Sequence, residues 1–202
     1  MNAIPISHDN QTVLLDLARR SIRHGLSHKR PLEPDLSEYD TKLQEPGATF
    51  VTLEIESRLR GCIGTVRAYR PLIVDIAENA WSAAFQDPRF EPLNMKELQV
   101  LSIEISLLSK PEPIIFDSEA DLKRQINRGL DGLIISDGGY RALFLPTVWD
   151  KLPDVRSFLS HLKLKAGMAR DYWSDTIEVS RFSTFKFCEH RIGTSGIQSR
   201  SG

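Results

Sequence analysis

The chain has 202 residues, 41% of them hydrophobic and 26% charged, with a formal net charge of −1. That composition is close to the globular average and sets aside the disordered and membrane-embedded classes. Without a basic excess, nothing drives general attraction to nucleic acid or acidic lipid. The length suits one compact domain that buries a sizeable core unaided. The two cysteines, Cys62 and Cys188, lack metal-ligand spacing, so two free thiols in a reducing, cytoplasmic compartment are expected. Residues 1–10 carry neither the basic nor the apolar part of a secretory signal, and no run approaches about 18 apolar residues.

Taken in order, Val13, Leu14, Leu17, Ala18 and Ile22 recur at helical spacing, with Asn10 as the expected N-cap and Gly25 as the expected stop. Residues 29–47 hold Pro31, Pro34 and Pro46 and read as a long surface connection. Phe50, Thr52, Glu54 and Glu56 alternate with Val51, Leu53 and Ile55, which predicts a strand with one wet face. Residues 60–66 follow, with glycines at 61 and 64. Pro71 opens a helix at the position where its missing N–H costs nothing. Ile73, Ile76, Ala77, Ala80, Trp81 and Ala84 form its apolar face, and it stops near Asp87-Pro88.

Leu101, Ile103, Ile105 and Leu107 alternate with Ser102, Glu104 and Ser106, the clearest strand of the chain. Ser118 caps a helix bearing Leu122 and Ile126. Segments 133–135 and 142–145 flank Asp137-Gly138-Gly139, a hairpin signal, and Pro146 ends the second. Pro153 starts a helix with Val155, Phe158, Leu159, Leu162 and Ala166 inward and Gly167 as a left-handed stop. Residues 176–187 read as β, and the tail after His190 as frayed. Hairpins with helices between some strands predict an α+β fold, a mostly antiparallel or mixed sheet with flanking helices. Strict βαβ alternation is missing, and Gly61-Cys62-Ile63-Gly64 is not a dinucleotide fingerprint.

Three constellations could carry chemistry. In Arg60-Gly61-Cys62-Ile63-Gly64, glycines admit a close backbone or ligand, exposed N–H groups could hold an oxyanion, and Arg60 and Arg67 could favour the thiolate. The competing reading is a small buried hydrophobe in a β-bulge beside packing glycines. In Asp87-Pro88-Arg89-Phe90, Arg89 can grip an anionic ligand or simply pair with Asp87, with Phe90 as an anchor. Glu104 and Ser106, on the polar face of the clearest strand, are an acid/base candidate and a hydrogen-bonding group if that face lines a cleft, and ordinary surface residues otherwise. The five histidines are scattered. His24 and His28 lie four apart, but no third ligand is evident and no metal is expected. A partner base for Cys62 could come only from a sequence-distant histidine such as His161.

These residues resemble the AMMECR-domain family, whose bacterial and archaeal branch is called AmmeMemoRadiSam system protein A. Leu59-Arg60-Gly61-Cys62-Ile63-Gly64 is similar to the family hallmark. Asp87-Pro88-Arg89-Phe90, Glu104-Ile105-Ser106, Asp131-Gly132-Leu133, Leu143-Phe144-Leu145-Pro146 with Val148, and Lys165-Ala166-Gly167 with Trp173 follow in the family's order. Glu56-Ser57-Arg58 departs from it, standing where members often have a glycine turn. The resemblance implies an α+β fold over residues 10–190 in two unequal, closely packed parts, the larger built from both chain ends and the smaller central, with 1–9 and 191–202 flexible. It implies company with a Memo-type protein and a radical S-adenosylmethionine protein, and names no reaction or cofactor. Helix–sheet packing would then bring Arg60, Cys62, Asp87 and Arg89 into one cleft. Two readings stand: binding or transformation of a small molecule around Cys62, or a non-catalytic adaptor in which Cys62 is packing. A nucleic-acid role is disfavoured by the charge.

Overall fold

The computed structural model describes residues 6–189. Residues 1–5 and 190–202, which hold most of the two ends expected to be flexible, lie outside the described residues; His8 and Asp9 already belong to the first helix. The chain divides into two compact units, one of Leu107–Phe185 and the other of Ile6–Ser106 with residues 186–189. The elements are α1 (His8–His28), β1 (Pro46–Gly47), β2 (Thr49–Ile55), β3 (Arg58–Gly64), β4 (Arg70–Pro71), α2 (Leu72–Phe85), α3 (Met95–Val100) and β5 (Ser102–Leu108). They continue as β6 (Glu112–Pro113), α4 (Glu119–Gln125), β7 (Gly132–Asp137), β8 (Tyr140–Phe144), α5 (Val155–Lys165), β9 (Glu178–Phe182) and β10 (Thr184–Cys188). One sheet has the order β10-β5-β2-β3, another β6-β9-β7-β8, and β1 pairs with β4. The ladders β1–β4, β2–β3, β6–β9, β7–β8 and β7–β9 are antiparallel. This is the expected α+β class.

In the larger unit, α1 starts earlier and ends later than its pattern predicts. Ser7, not Asn10, is the N-cap, its hydroxyl accepting from Asn10 N–H. Gly25 does not stop the helix. Lys29 does, in left-handed conformation with its N–H on Gly25 O. Gly25 is a packing glycine: a Cβ there would run into the rings of Trp81 and Phe85 on α2. Its bare backbone lets the two helices approach closely. Leu14, Leu17 and Ile22 of α1, Ile73 and Ile76 of α2, Val51 and Leu53 of β2, and Ile103 and Ile105 of β5 are fully buried and form the core. The connection 29–47 is not featureless, since Asp35 and Asp40 cap short 3-10 turns at Leu36–Glu38 and Thr41–Leu43. Pro71 is the N-cap of α2 rather than its first residue.

The β2–β3 hairpin turns through Glu56 and Ser57, both left-handed, with φ of 51° and 63°. That is the two-residue geometry that Asn-Gly adopts most easily. Its register pairs Leu53 with Gly61 and Glu54 with Leu59, so Arg60 is the extra residue of a bulge. α3 was not anticipated. Its signal is the Asn94–Glu97 capping box, with both reciprocal bonds made.

In the smaller unit, Trp149 stacks on Phe158 with centroids 3.8 Å apart, inside a core with Leu133, Ile135, Leu159 and Leu162. The β7–β8 turn uses Gly138 at φ 56°, as its sequence requires. α5 is capped by Asp154, one residue after Pro153, and ends at left-handed Gly167. Here the motif residues serve packing. Lys165 Nζ donates to Leu143 O at 3.0 Å, Gly132 lies under the Phe182 ring, and Asp131 accepts from Asn127 N–H and pairs with Arg181. Residues 176–187, read as one β piece, are two strands in different sheets, broken at Ser183.

Candidate functional site

Residues Arg60 to Gly64 do not form a turn. They lie in β3, at the edge of its sheet. A Cβ on Gly61 would collide with the carbonyl oxygen of Ala83 on α2, and one on Gly64 with the Phe50 ring and Thr49 O. The two glycines therefore let the strand lie directly on the helix and under an aromatic ring. They do not form an anion cradle. The Cys62 N–H points outward and donates to Asp87 Oδ2 at 2.9 Å. Of the two readings of this stretch, the oxyanion-holding turn is corrected, because the backbone is extended and the cysteine's donor is already taken, while the bulge and the packing glycines of the other are present.

Asp87 follows the end of α2, its side chain 2% exposed. Its Oδ1 accepts from Arg89 N–H and Nε, and its Oδ2 from Arg89 Nη2 at 2.6 Å and from Cys62 N–H. Arg89 Nη2 also reaches Cys62 O at 3.4 Å. One ion pair thus closes both outward groups of Cys62 and covers an otherwise open strand edge. The Arg89 hydrogen bonds hold the Asp87 carboxyl far below the usual carboxylate range, against burial, with help from the two backbone N–H groups. The same contact raises Arg89. The Arg89 side chain is nevertheless 53% exposed.

Arg60 reaches the other way along the edge. Its Nε and Nη2 hold Glu97 of α3, and Nη2 also donates to Glu91 O. This pairing lowers the Glu97 carboxyl. Phe90 stands beside both guanidinium groups, 5.7 Å from Arg60 and 5.5 Å from Arg89. The structure therefore brings Arg60, Cys62, Asp87, Arg89 and Phe90 together. Both arginines are committed to carboxylates, so each charge is locally balanced.

The faces of the sheet complete the site. Gly61 and Leu53 point toward α2, so Thr52 and Cys62, one residue along, point away from it. Phe187 lines a groove of about 540 Å³ with Leu15 and Arg19 of α1, which puts Lys186 on the face away from α1. Glu104 pairs with Lys186 at 3.3 Å and so shares that far face. Cys62, Thr52, Glu104 and Lys186 form a polar set on one face across four adjacent strands. Cys62 and Thr52 are half-buried, and Lys186 is exposed. Ser106, which strand alternation places on this face too, is 4% exposed and so is not an ordinary surface residue. Ile63 shares the opposite face with Gly61. Thr52 Oγ1 donates to Cys62 Sγ at 3.4 Å, the one hydrogen bond to that sulfur among the described residues. His161 belongs to the smaller unit, with Nδ1 on Ser157 O. Both cysteines are free.

A second polar cluster escaped the sequence reading. Asp75 of α2 is fully buried. It accepts from Thr49 N–H and Oγ1, Thr65 Oγ1, Arg70 Nε and Asn79 Nδ2. Burial alone would lower Arg70, but its bonds to Asp75 and the charge of Glu78 raise it instead. The signal was present: Asp75 and Asn79 sit four apart among the buried apolar residues of α2. Their carboxylate and amide are saturated, so this cluster fastens the start of β2 and the chain after β3 to the helix. His24 and His28 do share a face and stack at 4.0 Å. Among the described residues no group of three or more His, Cys, Asp or Glu side chains could hold a metal.

Comparison with known proteins gives one consistent answer. The family model described as AMMECR1 matches residues 15–187. A protein of Methanothermobacter thermautotrophicus is 38% identical over 191 residues, covering 94% of this chain and 99% of its own. One from Saccharolobus solfataricus is 39% identical, covering 92% and 84%. A crystal structure of an uncharacterized protein from Pyrococcus horikoshii is similar with a TM-score of 0.78 and 35% identity, over 88% of this chain and 90% of that one.

Proposed function

The chain belongs to the AMMECR1 family, and we propose that it binds a small molecule on the far face of the larger unit's sheet. The patch runs from the Asp87–Arg89 edge past Cys62 and Thr52 to Glu104 and Lys186. One observation carries this reading above a covalent one. Cys62, a half-buried residue, keeps its sulfur on that face, while its N–H is held by Asp87 and its sulfur meets a hydroxyl rather than a base. A thiol nucleophile needs an adjacent base and a donor for the developing oxyanion, and the local geometry favours contact instead. Arg89, with Nη1 unengaged among the described residues and its plane fixed by Asp87, suits an anionic or hydrogen-bond-accepting group on the ligand.

The two free cysteines support a reducing, cytoplasmic setting. No helix among the described residues is long and apolar enough to cross a membrane. The family resemblance supports a ligand drawn from a pathway shared with a Memo-type and a radical S-adenosylmethionine protein.

The test is capture of small molecules. Immobilised protein is exposed to a low-molecular-weight cell extract, washed and unfolded, and the released compounds are read by mass spectrometry. A compound retained by the native protein and depleted at least tenfold in Glu104→Gln and in Arg89→Ala supports the reading. Equal retention by all three proteins would sink it.

A further inference from the structure

We infer that Thr52 is a positioning residue for Cys62, holding its sulfur as a hydrogen-bond acceptor on the far face of the sheet. Thr52 and Cys62 face each other across β2 and β3. Because the Cys62 N–H leaves the ladder for Asp87, theirs is the non-hydrogen-bonded kind of antiparallel pair, in which side chains stand closest. The Thr52 hydroxyl has a single proton, and it goes to Cys62 Sγ at 3.4 Å. Threonine is stiff about its first side-chain torsion, so the direction of that donor is set by the strand. The cysteine backbone is equally fixed, its outer N–H and C=O tied to Asp87 and Arg89. The sulfur is thus located from three sides, by its own strand, by the edge clamp and by the facing hydroxyl. The valine-like outline of Thr52 would fill the same space without the proton, so packing alone does not account for the contact.

A single neutral donor is a modest hold, worth a few-fold in an equilibrium; it orients a contact residue and does not supply the base that a nucleophile needs. The inference rests on the reading of Cys62 as part of the binding patch. Its test reads the sulfur itself, so it can fail while ligand capture succeeds, and the reverse.

The S–H stretching band of Cys62 is read by infrared difference spectroscopy in the full chain carrying Cys188→Ser. It should shift on Thr52→Val and return to its native position on Thr52→Ser. A band that stays in place on Thr52→Val would contradict the hydrogen bond itself, and one that Thr52→Ser fails to bring back would overturn the assignment to the hydroxyl. Alkylation by iodoacetamide, read by peptide mass spectrometry in the chain with both cysteines, should change about threefold at Cys62 on Thr52→Val and recover on Thr52→Ser. An unchanged Cys62 rate, or an equal change at Cys188, would overturn the assignment.

Discussion

Two carboxylates bracket α2, and their surroundings differ in one respect. Asp75 in its first turn is enclosed: Thr49 and Asn79 are buried with it, and the side chain of its counter-charge Arg70 is only 14% exposed. Asp87, just past its last turn, is as well hydrogen-bonded, but its main partner Arg89 is half exposed. Both fasten the β2–β3 hairpin to the helix, Asp75 at Thr49 and Thr65, Asp87 at Cys62. The first arrangement can only hold the fold together. The second holds the strand while leaving an oriented guanidinium within reach of solvent. A buried, saturated carboxylate marks architecture; one whose counter-charge is left partly wet marks a place where something else can bind.

Breaking the enclosed cluster should have the largest effect. Asp75→Ala leaves the buried Thr49 N–H and hydroxyl and the Asn79 amide without their acceptor and takes one of two carboxylates from Arg70, and a loss of about 3–5 kcal/mol in urea unfolding is expected. Gly61→Ala comes next, because the new methyl meets backbone of α2 rather than a yielding side chain; overpacking of this kind costs about 1–3 kcal/mol. A loss below half a kilocalorie per mole would contradict the close approach of β3 and α2.

Asp87→Asn and Arg89→Ala should each cost about 1–2 kcal/mol at pH 7, the second because it leaves the buried Asp87 carboxylate without its main partner. The pH dependence separates this clamp from a simple packing contact. The Asp87 carboxyl is depressed in the folded chain, so its contribution is complete above the unfolded value of about 3.9. It is lost only as pH falls below that value and through the folded one. The stability gap between native protein and Asp87→Asn should stay flat from pH 8 to about pH 5 and close in stronger acid. A gap that changes near neutrality would point to another group.

The smallest expected effect is a gain. Glu56 and Ser57 are both left-handed, so Glu56→Asn with Ser57→Gly should stabilise the hairpin by roughly 1 kcal/mol. Measured thermal unfolding that fails to rise would contradict the turn geometry.

The same hairpin shows why part of the site was not legible in the sequence. The alternation in residues 50–56 gave β2, but Glu56-Ser57 is not a turn-forming pair, so residues 60–64 stood open between a ligand-holding turn and a β-bulge with packing glycines. Once the turn is placed at Glu56-Ser57, Thr52 falls opposite Cys62 only through the bulge at Arg60, whose exact position no local pattern gives. Motif proximity fared better: Arg60, Cys62, Asp87 and Arg89 do meet, because α2 carries the chain from β3 back to its edge. Gly25 misled for a physical reason. Glycine signals a helix end when its φ is positive, but here it stays helical to admit Trp81 and Phe85 from another element. Lys186 entered the site unannounced because its strand joins the sheet from far along the chain.

The most direct test of Cys62 as a ligand contact is its alkylation rate at pH 7 relative to Cys188 in the same molecule. The account predicts that Cys62, half-buried and without an adjacent base, reacts no faster than the exposed Cys188. A Cys62 rate exceeding that of Cys188 by tenfold or more would contradict it and return the site to nucleophilic chemistry.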